Sequence, residues 1–271
     1  VLQLDSNHGA PARFSNPPSR GLPEMMRSKR SRELSRQRPA YLPGGAGRGE
    51  LMKNVWRDNG LSIVLFALFV SFLAAQSYVG MLEENSELAA HGLLPISYAA
   101  YLHSGAFLEA TMENWESEFL QMSVYVLFTV FLFQKGSSES KPVNNEDPVN
   151  RDPREFRSKR DAPWPVRKGG MVLRIYEHSL SLAFLLMFAF SFVLHAIGGA
   201  SAYNEERAAH GEAPVTVFEY AAGSRFWFES FQNWQSEFLA IWAMVVLSIF
   251  LRQRGSPESK PVDAPHFQTG S

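Results

Sequence analysis

The chain has no cysteine among its 271 residues. That excludes disulfides, thiolate nucleophiles, Cys-ligated zinc and iron–sulfur centres, and leaves any metal to His and carboxylate ligands. An excess of either charge is also missing: 26 Lys and Arg against 27 Asp and Glu give a formal net charge of -1. Nothing here supplies the positive field that nucleic acid requires, so none is expected as a partner. No nucleotide-binding loop, nucleophile triad or zinc-protease motif occurs. Residues 1–50 lack both apolar periodicity and the apolar core of a signal peptide, and a segment that buries so little surface is expected to be disordered. Met52 followed by Lys53 stands where a start is expected, so residues 1–51 are read as an extension that need not belong to the functional protein.

What is present is an uneven distribution of apolar residues. They make up 45% of the chain but gather in four blocks separated by polar connectors. Leu61 to Gly80 and Ser179 to Ala200 are uncharged but for His195, and at 1.5 Å rise about 20 such residues cross a hydrocarbon core of about 30 Å. Phe119 to Phe133 and Phe238 to Leu251 are shorter, but each follows Asn-Trp-x-Ser-Glu, whose indole suits a membrane–water interface. The expected fold class is therefore all-α, an integral membrane protein of four transmembrane helices with the lipid bilayer as its surroundings. Lys and Arg are retained on the cytoplasmic side. Residues 81–118 contain neither, and the loop after the third block holds only Arg207 and Arg225. Both loops are expected outside and both termini in the cytoplasm.

The chain repeats itself without gaps. His91-Gly92 matches His210-Gly211, and 210 − 91 = 119; the same offset pairs Asn114-Trp115 with Asn233-Trp234, Pro95 with Pro214 and Tyr101 with Tyr220. Each unit starts inside and spans twice, so the halves are parallel, related by an axis along the membrane normal that brings equivalent residues together. The expected organisation is an extension 1–51, a first two-helix repeat 52–143, a flexible cytoplasmic linker 144–170, a second repeat 171–262 and a disordered tail 263–271. Short interfacial helices are expected in the aromatic-rich stretches Ile96 to Met112 and Val215 to Ser230.

The Asn-Trp-x-Ser-Glu-Phe lead-ins at 114–119 and 233–238, with the Gly-Ser-x-Glu-Ser-Lys-Pro tails after the short blocks, resemble a family of small bacterial membrane proteins known only as a domain of unknown function. The resemblance covers about residues 52 to 262. It implies four helices in a bacterial plasma membrane, no assigned activity, and no functional residue that can be carried over.

Several polar positions are candidates. Glu87 and His91, like Glu206 and His210, share a helix face at a spacing of four; joined across the axis they would offer nitrogen and oxygen ligands to a divalent transition metal. Capping is the simpler reading, since His suits the negative end of a helix and the following Gly a left-handed cap. Glu118 and Glu237 suit helix N-termini or a paired-carboxylate cation site. His195 lies within the third block and its repeat equivalent is Gln76, since 195 − 119 = 76; an intramembrane ionisable group is a functional candidate, though as an axial haem ligand His195 would lack a symmetric partner. No cofactor is assigned from these patterns. The leading expectation is a non-enzymatic protein acting by association with itself or other membrane proteins. An oligomeric channel or carrier, lined by Ser71, Gln76, Ser123, Thr129, Ser191 and His195, comes second, and a metal- or haem-binding enzyme third.

Overall fold

The computed structural model describes residues 48–142 and 147–270. All of their long elements are helices, with no strand among the described residues. In chain order they are α1 (Arg48–Ala90), α2 (Tyr98–Tyr101), α3 (Gly105–Phe128), α4 (Trp164–Lys168), α5 (Gly170–Glu177), α6 (Ser179–Ala209), α7 (Val217–Ala222) and α8 (Ser224–Phe250). The chain divides into two units, Val1–Ala67 and Leu68–Ser271. The described part of the first is helical; apart from the length of α1, all that follows concerns the second. Most of the expected extension 1–51 lies outside the described residues.

Three helices are long and apolar enough to cross a membrane: α1 over Lys53–Ala90, α6 and α8. Their outward side chains, among them Phe72, Val79, Leu186, Phe190, Phe231 and Trp242, are exposed, a surface too apolar for water to cover comfortably. Helix α3 has 24 residues, about 36 Å at 1.5 Å per residue, but carries Glu109, Glu113, Glu116 and Glu118. It stops at Phe128, short of the expected Phe133, where i→i+3 bonds from Val130 and Phe131 tighten the last turn.

The C-terminal ends of α1 and α6, with the segments that follow them, are built alike at the 119-residue offset. The Asn85 amide accepts from Ile96 N and donates to Ile96 O; Asn204 does the same with Val215. Tyr101 packs on Gly80, and Tyr220 on Gly199. The short helices start from Ser97 and Thr216, whose hydroxyls accept backbone N–H bonds. Gly92 and Gly211 adopt φ of +71° and +72°, the left-handed conformation that closes α1 and α6.

Helix α3 packs chiefly along α6, and also against α8. The α3–α6 contact is backbone to backbone: a Cβ on Gly198 would lie 2.6 Å from Glu109 N, and one on Gly105 would lie 2.8 Å from Gly198 O. This approach brings α3's glutamates up to α6.

Where described, the linker, expected to be flexible, and the tail, expected to be disordered, both make defined hydrogen bonds. The linker forms 3-10 turns at Pro148–Asn150 and Pro153–Phe156, capped by Asp147 and Asp152, followed by α4; residues 143–146 lie outside the described set. The tail is held at several points. Lys260, 1% exposed, directs its ammonium at the carbonyls of Gly136, His266 and Gln268, while Gly270 N bonds Ser137 O and Gly136 N bonds Thr269 Oγ1. A buried cation needs such acceptors, and holding them fixes the chain to residue 270.

Candidate functional site

Glu109, Glu113 and Glu116 stand at i, i+4 and i+7 of α3, one face of a helix. That face meets α6 and α8, so these carboxylates are drawn out of solvent. His195 enters from α6 three residues before Gly198 and is 0% exposed, as is Glu116. The His195 Nδ1–H donates to Glu116 Oε2 at 2.8 Å, and Trp234 Nε1 of α8 donates to Glu116 Oε1 at 2.9 Å. Both oxygens of the deepest carboxylate are thus engaged, and the orientation of the imidazole is set.

The other face of the ring is different. His195 Nε2 is 3.5 Å from Glu229 Oε2 of α8 and has no hydrogen-bond partner, although it is buried. Glu229 Oε1 accepts from Arg225 Nε at 3.1 Å, and Arg225 reaches on to Glu206. The Tyr220 hydroxyl lies 2.6 Å from Glu229 Oε2 and 2.9 Å from Glu109 Oε1. Burial, with Glu229 and Glu109 beside it, pushes the Tyr220 phenol up from its ordinary value, so it stays protonated. A phenol has one proton, so the second contact is satisfied only when a carboxylate supplies another. Phe226 lies against His195 with ring centroids 4.7 Å apart and closes the site with an apolar wall, together with Ala196, Ala200 and Phe192. One ligand atom each from Glu109, His195 and Glu229 lie within 4.8 Å of one another.

The expected positions are distributed as follows. His195 is at the centre of this cluster. Its repeat equivalent Gln76 is exposed and donates to Ala110 O at 3.3 Å. His91 and His210 do meet, with ring centroids 6.0 Å apart, and each Nδ1 bonds the carbonyl four residues back, Glu87 O and Glu206 O. Of their carboxylates, that of Glu206 is held by Arg225. Glu118 is exposed and Glu237 half-buried, close enough to feel each other's charge. The aromatic stretches contribute α2 and α7 and the first turns of α3 and α8.

Glu109, Glu113, Glu116 and Glu229 escape the sequence reading. Their signal is that they break the repeat: at the 119-residue offset Glu109 faces Phe228, Glu113 faces Gln232, Glu116 faces Gln235 and Glu229 faces Ala110, as His195 faces Gln76. All of these ionisable residues stand at positions where the 119-residue offset pairs unlike residues.

Residues 52–271 match the family model described as a domain of unknown function, DUF6766. Comparison with curated proteins and with solved structures finds no match.

Proposed function

We infer that this chain, which belongs to that family of unknown function, is an integral membrane protein that takes up a cation in the cluster of half-buried Glu109, Glu113 and Glu229 around the buried Glu116 and His195. The observation that carries this is charge. When ionised, four carboxylates converge on one imidazole and one guanidinium, that of Arg225. Burying such an excess costs several kcal/mol, on the order of the penalty for each unpaired ion, unless protons or another cation neutralise it. Ionisable groups held between membrane-grade helices mark ion or proton sites.

The setting of the proposal is a multi-pass protein of the bacterial plasma membrane. The spans are α1, α3, α6 and α8, two from each half of a parallel tandem duplication, with both termini cytoplasmic. The Lys and Arg distribution supports the orientation, and the matched Asn85/Asn204 and Tyr101/Tyr220 contacts support the duplication. In α3 the glutamates turn to the helix interface, which reconciles its acidity with a membrane position. Association with other helices draws on the exposed apolar side chains, which lipid covers equally well, and gives the buried cluster no role.

The test is the thermal midpoint of the purified chain across pH and across series of monovalent and divalent chlorides, beside Glu229→Gln. Stabilisation by acid or by a cation, weakened in the variant, supports the reading. Indifference of the wild-type midpoint to every cation and to pH overturns it.

A further inference from the structure

Resting on that cation reading, we propose that Nε2 of His195 and the carboxylates of Glu109 and Glu229 bind one divalent first-row transition-metal ion, with Glu116 as the group that positions the imidazole.

The tautomer comes first. Because Glu116 accepts from Nδ1 at 2.8 Å, the neutral ring keeps its lone pair on Nε2. A carboxylate behind a histidine is the arrangement that fixes a metal-ligating ring and raises its basicity. That Nε2 is buried and makes no hydrogen bond, with the Glu229 carboxylate 3.5 Å away, whereas a buried polar atom normally has a hydrogen-bond partner.

Distances come next. Metal bonds of about 2.0–2.2 Å to nitrogen and oxygen place ligand atoms roughly 3.3 Å apart at the edge of a tetrahedron. The Nε2 to Glu229 Oε2 separation is already 3.5 Å, and the Glu109 oxygen, within the 4.8 Å group, reaches the same geometry by a side-chain rotation. Two carboxylates match the charge of a divalent ion. Imidazole with carboxylates suits zinc, iron, cobalt or manganese, whereas magnesium and calcium prefer oxygen alone and soft ions need sulfur. Three protein ligands leave a coordination position open beside the Tyr220 hydroxyl.

The experiment uses the full chain in detergent, stripped with chelator and titrated with Mn2+, Co2+ and Zn2+ by calorimetry. The expected result is one ion per chain. His195→Gln, which installs the residue of the repeat equivalent, should abolish binding. Glu116→Gln should weaken it about 10- to 100-fold, the usual effect of losing such a partner. His91→Ala with His210→Ala should leave it intact. Pulsed electron paramagnetic resonance of the Mn2+-loaded wild type should detect an imidazole nitrogen, a readout independent of how any variant folds.

No divalent binding in a wild type that acid or a monovalent cation still stabilises overturns the metal site while leaving the cation reading standing. Binding that survives His195→Gln, is lost with His91 and His210, or shows no nitrogen coupling also overturns it. A wild type that responds to neither metal, monovalent cation nor proton overturns both.

Discussion

His195 of α6 donates through Nδ1 to Glu116 of α3 at 2.8 Å, with both side chains withdrawn completely from solvent. The bond joins residues 79 apart in the chain and ties together the two helices with the most extensive mutual packing. Glu116 also accepts from Trp234, so one carboxylate holds α6 and α8 to α3.

Removing that carboxylate should be costly. Glu116→Ala leaves the Nδ1–H of His195 and the indole N–H of Trp234 without acceptors, at roughly 1–3 kcal/mol for each stranded donor. The thermal midpoint should fall clearly, and Glu116→Gln, which keeps one acceptor oxygen, should fall less.

Glycine substitutions should divide by location. Gly198→Ala drives a Cβ to 2.6 Å from Glu109 N, backbone that cannot yield without parting α3 from α6. The chain should lose stability and cation response together. Gly92→Ala meets nothing within 4 Å and strains only a φ of +71°, a cost of about 1 kcal/mol confined to the end of α1. Comparing thermal midpoints and cation-dependent shifts of the two variants checks this.

How much of this could be read in advance follows from range. The apolar blocks, the left-handed caps at Gly92 and Gly211 and the meeting of His91 with His210 rest on local patterns or on the 119-residue repeat, both visible along the chain. The cluster rests on pairings between distant residues. Glu109, Glu113 and Glu116 look like polar lead-in to an apolar block, and only their i, i+4, i+7 spacing and their replacement by Phe228, Gln232 and Gln235 in the other half set them apart. His195 stood out because it interrupts an uncharged run. The ordered tail was hidden because Lys260 finds backbone carbonyls, which carry no sequence signature.

Lys260→Met should release that tail. Without the ammonium the carbonyls of Gly136, His266 and Gln268 lose their common donor, and residues 264–270 should become readily cleaved in limited proteolysis. The wild-type tail should resist under the same conditions.

Glu219 gives a pH-dependent signature at the start of α7. Bonds from the Thr216 backbone and side chain hold its carboxyl below the ordinary carboxylate value. A depressed folded pKa means the cap is fully present above the ordinary value and is lost as pH falls through the lowered one. The Thr216 amide resonance should shift across that acidic window, and the shift should vanish in Glu219→Gln.

The absence of cysteine makes single-site labelling unambiguous. Leu94→Cys, at a position 87% exposed after α1, should react with a membrane-impermeant maleimide added outside intact cells. Val262→Cys, at a position 61% exposed just before the tail, should react only after permeabilisation. The reverse pattern would invert the proposed orientation.

The most direct test of the central claim is infrared difference spectroscopy of the purified chain between its cation-free and cation-loaded states. Uptake by the cluster predicts that protonated-carboxyl absorption is replaced by ionised carboxylate, with the change reduced in Glu109→Gln and again in Glu229→Gln. A difference spectrum without carboxyl bands, or one unaltered in both variants, would contradict the account.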